Sequence, residues 1–362
     1  MPAEPRLLLV GAGHTHLHLL RNAERLTALG YELTLVAPDR FDYSGVACAV
    51  ATGGLDPVEG RIDVGSVAQA RVKHFDTRVT DVNLAARTVT TDDGDTLGWD
   101  LISFNVGSVA AEPAGVPIAG SAIRVKPLSS LATLRERLRD APPGRGHHIT
   151  IVGAGASGVE LAANLATRPD VDTVRVLEAG PTIVPVLAPK AIRRLTALLA
   201  ERGVEVRTDA PVREVTDDCV VLRDGSRVAH DIAIIATGLA PPALASAPPL
   251  GGPDGIPVRA TLQHRDHDEV YAAGDCVDFL PGRLPRLGVY GVRQGPVLLA
   301  ALEARARGSE APTYEPQRRA LAIMDLGGGL GLASRGRLWW FGRSSLIAKR
   351  WIDRRWIAGY RS

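Results

Sequence analysis

The chain has 362 residues, 45% of them hydrophobic and 23% charged, with a formal net charge of +2. That allows two or three globular domains with sizeable cores, and no apolar run approaches the length of a membrane-spanning helix. No secretory leader precedes the first glycine turn, and three scattered cysteines (Cys48, Cys219, Cys276) offer neither a disulfide framework nor a zinc spacing, so a cytoplasmic chain is expected.

Arg6 to Leu20, RLLLVGAGHTHLHLL, reads as strand, glycine turn and helix. Gly11 and Gly13 fill the first two slots of a dinucleotide fingerprint; the third slot holds His16, whose bulk should push helix from strand. The next strand, Glu32 to Val36, should end in an acid that binds ribose, but the slot is Ala37 and the nearest substitute is Asp39. His14, His16 and His18 alternate, as metal-binding histidines can after a first strand. The preceding glycine turn favours a helix instead, no downstream residue completes a ligand set, and no metal is expected. Arg40 to Leu55 is rich in small residues and would let a cofactor approach the backbone; it contains Cys48, read either as a redox thiol or as a small buried residue. Short strands follow: one opens at Val79 and Val82, another spans Thr88 to Thr91, and Trp99 to Phe104 leads to a glycine turn at Asn105 to Ser108. Ala111 to Gly120 reads as a linker, Ser129 to Leu138 as a helix, and Ala141 to Gly146 closes the connection.

Ile149 to Ala162, ITIVGAGASGVELA, is the stretch around which the chain is organised. Gly153 makes the tight turn, Gly155 lets a pyrophosphate approach the backbone, and Gly158 lets helix pack on strand. The helix N-terminus then presents free N–H groups and partial positive charge to the phosphates. The strand Thr173 to Leu177 ends at Glu178, twenty positions after Gly158, where a carboxylate can bind ribose hydroxyls. Then come an amphipathic helix (Pro189 to Arg202), a strand (Val204 to Arg207), two short strands about Asp224-Gly225, and the strand Ile232 to Ala236 ending at Thr237-Gly238. This repeats the first half element by element. A strand through Val270 ends at Gly274, with Asp275 expected to cap a turn or helix immediately after it.

The order GAGHTH, NVGS, GAGASGVELA with Glu178, ATGLAP and VYAAGDC resembles the two-dinucleotide-domain flavoproteins, the pyridine nucleotide-disulfide oxidoreductase superfamily. That superfamily includes glutathione reductase, type II NADH dehydrogenase and sulfide:quinone reductase, and the resemblance is closest to type II NADH dehydrogenase-like flavoproteins. APDRFDYSG, VKP at Val125 to Pro127, GVRQGP and the tail motif are similar to the branch sometimes fused to selenide, water dikinase. The resemblance implies an α/β fold of two Rossmann-like domains: FAD-binding over 1–125 and 246–310, NAD(H)-binding over 126–245, and a C-terminal α/β region over 311–362. It implies that Gly11, Gly13 and Asp39 hold the ADP half of FAD and that Asp275 meets the ribityl chain. Gly153, Gly155, Gly158 and Glu178 would bind NADH. Cofactor contacts are also implied for His14, Val79, Gly107, Thr237, Gly238 and Gly274. Glu160 would lie near the nicotinamide and Gln294 near the isoalloxazine on the acceptor side.

The implied activity is hydride transfer from NADH to FAD and then two-electron reduction of a quinone, NADH being preferred because Glu178 repels the extra phosphate of NADPH. The alternatives are a small thiol, peroxide or selenium acceptor working through Cys48, and a flavin-bearing interaction protein; nucleic acid is not an expected partner, and a homodimer is one assembly to test. Sulfide:quinone reduction is set aside because no cysteine pair falls where that family has one.

Charge is unevenly placed. Arg335 to Ser362 carries +7, leaving −5 for the remainder, and holds four of the five tryptophans. Ser344 to Tyr360 reads as a basic helix, with Ile347 and Trp351 one turn apart and Ile352, Trp356 and Tyr360 along a second row. Two readings stand: an anionic membrane surface, or packing on the protein's own domains.

Overall fold

The computed structural model describes residues 4–68, 71–140 and 144–361; part of the expected connection Ala141 to Gly146 lies outside them. The first pass runs β1 (Arg6–Val10), α1 (His14–Arg21), β2 (Glu32–Val36), β3 (Lys73–Phe75) and β4 (Leu101–Phe104). The second runs β5 (Ile123–Arg124), α2 (Ser130–Arg139), β6 (His147–Val152), α3 (Ala156–Leu165), β7 (Val171–Leu177), α4 (Pro189–Glu201), β8 (Glu205–Arg207) and β9 (Ile232–Ile235). There follow β10 (Val270–Ala272), α5 (Gly288–Ala306), β11 (Ala322–Asp325), β12 (Gly331–Arg335), β13 (Leu338–Gly342) and α6 (Arg343–Ala358).

Two five-stranded sheets result, ordered β10-β4-β1-β2-β3 and β5-β9-β6-β7-β8. Every pairing in both is parallel. The central strands are apolar on both faces, as a parallel sheet covered on both sides requires: Leu7, Leu8, Leu9 and Val10 are buried, and so are Ile149, Ile151 and Val152. Each sheet has a companion antiparallel meander, Val79–Asn83 with Thr88–Thr91 and Thr96–Gly98, and Val212–Val215 with Cys219–Leu222 and Arg227–Ala229. The duplication is therefore structural as well as sequential. Its one topological asymmetry is the edge strand. β10 reaches the first sheet from beyond the second, whereas β5 enters the second sheet just before β6.

Trp99, read from sequence as the start of the strand, is fully buried ahead of it, and the strand begins at Leu101. The C-terminal region adds the antiparallel sheet β11-β12-β13, with α6 laid across it.

Candidate functional site

Both glycine turns sit at the C-terminal end of the central strand of their sheet, the place where open parallel sheets bind ligands. In the second unit Gly153 has φ +102°, and a Cβ there would lie 2.4 Å from the Ala236 carbonyl oxygen. Behind the turn, a Cβ on Gly158 would lie 2.1 Å from the Gly153 oxygen. Gly155 starts α3 and no side chain caps the helix, so its first N–H groups are open to a ligand. Glu178 directly follows β7. Its carboxylate accepts hydrogen bonds from the amides of Ala154 (2.7 Å) and Gly180 (2.8 Å), which fixes its charge beside the turn. Gly153, Gly155, Ser157, Glu178, Thr237 and Gly238 line one cleft of about 980 Å³. The Thr237 hydroxyl donates to the Ala111 carbonyl.

The first unit solves the same turn differently. Gly11 has φ +81° and closely approaches the Asn105 backbone. His16 takes the third glycine's place without a void: its ring contacts the Gly11 oxygen through Nδ1 (2.6 Å) and the Ser103 hydroxyl through Nε2 (2.8 Å). Burial pushes it down to about 4, so it is a neutral core histidine. Asn105 completes the exchange. Its Oδ1 accepts from the Thr15 and His16 amides (3.0 and 3.1 Å), capping α1 from another strand, while Nδ2 donates to the Ala273 carbonyl (2.7 Å). Sequence reasoning passed over Asn105; the signal was its place in NVGS, opposite Ala236 of ATGL. Gly107 and Gly274 adopt positive φ on either side of it.

Two expectations change here. Asp39 does not reach the glycine turn as Glu178 does. It lies beyond the end of β2 with a largely exposed side chain, facing His74 at 3.4 Å. Asp275 caps no helix, because its carboxylate is turned to the Ser108 hydroxyl (2.8 Å) and towards Lys126 (3.9 Å). Val79 is a buried core residue at the start of its meander strand.

A smaller cavity of about 170 Å³ adjoins the cleft and is lined by Cys48, Lys126, Ser157, Glu160, Asp275 and Arg286, among others. Burial pushes the Glu160 carboxyl up to about 7 against the pull of Lys349. Its Oε1 accepts from the Asp325 amide (3.1 Å), which leaves Oε2 to carry the proton. Burial likewise pushes the Cys48 thiol well above its ordinary range, with Glu160 adding to the effect, so this cysteine is a thiol rather than a thiolate at neutral pH. Gln294 is fully buried. Its Oε1 accepts from the Gly274 amide (2.7 Å), and its Nε2 has no partner.

The Glu160 shift has a testable sign. Folded Glu160 keeps a proton that the unfolded chain sheds at its ordinary 4.5, so its stabilising contribution is complete below about 4.5 and is lost as pH rises through about 7. Denaturant midpoints of wild type, taken relative to Glu160→Gln, are expected to fall across that window and level off above it. A difference that is flat with pH would disprove the shift.

Part of the tail packs on the protein's own domains. Trp356 stacks on Tyr43 (4.6 Å, 20°) and lies 5.0 Å from the His14 ring and 4.8 Å from Tyr360. Trp356 and Tyr360 therefore pack on the first unit instead of edging a membrane face, because the aromatic residues around the first glycine turn offer them an apolar seat. His14 is pushed down to about 4 by burial. Lys349 and Asp353 pair at 2.9 Å beneath the helix, where Lys349 also donates to the Gly45 carbonyl and Asp353 accepts from Tyr43 (3.0 Å). Trp339 packs into the second core. Leu338, Trp340, Ile347 and Trp351 remain exposed. Among the described residues no helix is long and apolar enough to cross a membrane.

The model for the pyridine nucleotide-disulphide oxidoreductase family matches residues 5–295. A type II NADH:quinone oxidoreductase of Staphylococcus haemolyticus is 22% identical, covering 86% of this chain and 85% of that protein. A nitric oxide reductase FlRd-NAD(+) reductase of Vibrio vulnificus is 30% identical over 52% of this chain, which spans 49% of that relative's length. Among solved structures, the NDH2 of Plasmodium falciparum in complex with NADH superposes with a TM-score of 0.85 at 14% identity, covering 98% of this chain and 97% of that one. A ferredoxin reductase from Rhodopseudomonas palustris gives 0.74 at 21%, covering 91% and 81%. With two parallel-sheet units, each carrying a glycine turn at the end of its central strand, this chain belongs to the pyridine nucleotide-disulphide oxidoreductase family, and FAD and NAD(H) are its cofactors.

Proposed function

We propose that this protein oxidises NADH and reduces a quinone. The observation that carries the reading is Glu160, a carboxyl held protonated near neutrality in the cavity that adjoins the nucleotide cleft. The second unit would hold NADH through Gly153, Gly155 and the α3 amides, with Gly158 keeping helix and turn in register. Glu178, immobilised by two amides, repels the extra phosphate of NADPH. The first unit would hold FAD along Gly11, Gly13 and Gly107 to Asp275. The close-approach turn at Gly11 and the unpartnered Nε2 of Gln294 beneath the Gly274 turn fit a bound polar group there. FAD, when bound, would supply the two-electron chemistry that links the nicotinamide to the acceptor.

Reducing a quinone to its hydroquinone takes two electrons and two protons. A hydride supplies both electrons and one proton; Glu160 Oε2 would give up the second and be reprotonated from solvent. Cys48, held as a thiol, is a weak nucleophile, which favours this reading over thiol chemistry. The exposed Leu338, Trp340, Ile347 and Trp351, set among the arginines of the tail, suit an anionic membrane surface from which a quinone could be drawn.

The purified protein, kept anaerobic, is expected to lose its flavin band rapidly with NADH and slowly with NADPH. The band should return on adding quinone, faster when the quinone is carried in anionic vesicles than in neutral ones. A flavin indifferent to NADH would end the reading. A bleached flavin that quinone does not restore would end the choice of acceptor.

A further inference from the structure

Arg286 was singled out by no motif, yet it stands where the two units meet. Its Nε donates to the Asp275 carbonyl (3.0 Å), Nη2 to the Asp254 carbonyl (2.8 Å) and Nη1 to the Leu239 carbonyl (3.4 Å). Asp275 belongs to the turn after β10 of the first sheet. Leu239 follows β9 of the second and lies in the short antiparallel pair Val109–Ala110 with Leu239–Ala240 that joins the two units. One guanidinium thus bridges both halves of the molecule.

All three partners are neutral carbonyls. Among the described residues no carboxylate forms an ion pair with Arg286, whereas its neighbour Arg283 is paired with Asp254 at 2.8 Å. A guanidinium has five N–H donors, so two remain. Arg286 lines both the 980 Å³ cleft and the adjoining cavity, and Ser157, at the start of α3, lines both as well. An arginine immobilised by three carbonyls, carrying unbalanced charge and spare donors, therefore shares this junction with the uncapped start of α3.

We infer that Arg286 is a binding residue for the diphosphate of the nicotinamide nucleotide, contributed by the FAD-side wall of the cleft and opposing the amides of α3. This rests on the NADH reading above and adds to it a contact that the glycine fingerprint does not contain. Because the same side chain holds the Asp275 turn, occupation of the nucleotide site is transmitted to the flavin environment. Charge-assisted hydrogen bonds to a desolvated phosphate are the strong kind, and a rigid guanidinium loses little freedom in making them.

The test uses FAD-loaded protein and ADP-ribose, which has the diphosphate but no nicotinamide, with adenosine as the control lacking phosphate. Arg286→Gln is expected to weaken ADP-ribose binding by titration calorimetry roughly 10- to 100-fold and to leave adenosine binding unchanged. Wild type is also expected to show a flavin difference spectrum with ADP-ribose that shrinks in the variant. Equal loss for both ligands, or no loss for either, overturns the proposal and leaves Arg286 a structural tether. If Arg286→Gln does not retain FAD, Arg286→Lys decides. It keeps the charge without the planar fork, so a several-fold loss of ADP-ribose affinity with adenosine binding unchanged supports the contact, and no loss, or an equal loss for both ligands, overturns it. Failure of wild type itself to bind ADP-ribose or NADH is a different result: it removes the nucleotide reading, and the Arg286 contact falls with it.

Discussion

Gly158→Ala is expected to abolish rapid bleaching of the flavin by NADH while leaving FAD in place. The added methyl carbon would sit 2.1 Å from the Gly153 oxygen, 3.2 Å from its carbonyl carbon and 3.3 Å from the Ala236 Cβ. Two of these atoms are backbone at the glycine turn, so no rotamer change relieves the clash and α3 must move off β6. A shift of about 1 Å at such a site typically costs on the order of 100-fold in turnover efficiency, and overpacking of this kind carries about 1–3 kcal/mol of strain. The first unit is untouched, so the visible spectrum of the oxidised variant should match wild type. Steady-state kinetics with NADH check the outcome; efficiency within about threefold of wild type would show that the diphosphate does not depend on this packing.

The second large effect is expected at Lys349. Lys349→Met leaves Asp353 buried with only Tyr43 for company and removes the cation that Glu160 also feels. Burial alone would push Lys349 down; Glu160, Asp353 and Asp325 together hold it above its ordinary value, so the ammonium is charged in the folded protein. Breaking one side of a buried pair costs about 3–5 kcal/mol, because the other charge is stranded. Denaturant unfolding is expected to show that loss, with Trp356 emission shifting red as α6 loosens from Tyr43. The double variant Lys349→Met with Asp353→Leu should recover much of it, since no charge is then left unpaired. If the double variant is no more stable than Lys349→Met alone, the pair is not the source of the effect.

The parts most legible in the sequence were those set by backbone geometry. Gly153 and Gly158 had to be glycines because of a positive φ or a close approach, and that need is written in the residue itself. The run Leu7 to Val10 announced a doubly buried parallel strand for the same reason. Arg286 and Lys349 were illegible because their work lies in partners far along the chain, the Asp275 turn and Gly45, and Asn105, which caps α1 from another strand, showed only through its place in NVGS. Asp39 misled because a carboxylate near the right position says nothing of where the chain turns after β2. The tail misled in part because helical spacing gives two apolar rows without saying which one the protein covers. Trp356 and Tyr360 found an aromatic seat at His14 and Tyr43; Ile347 and Trp351 did not.

The seating of Trp356 on His14 bears on how the protein is made. His14 stands at the first glycine turn, and the residue that packs against it lies on the far side of both sheet units in the chain, so the turn is synthesised well before its cover. Once α6 has been made, Trp356 covers the His14 ring, on a helix whose Lys349 and Asp353 pair beneath it. The first glycine turn and the C-terminal helix are thus joined through aromatic contacts, so a change at Trp356 is felt at His14.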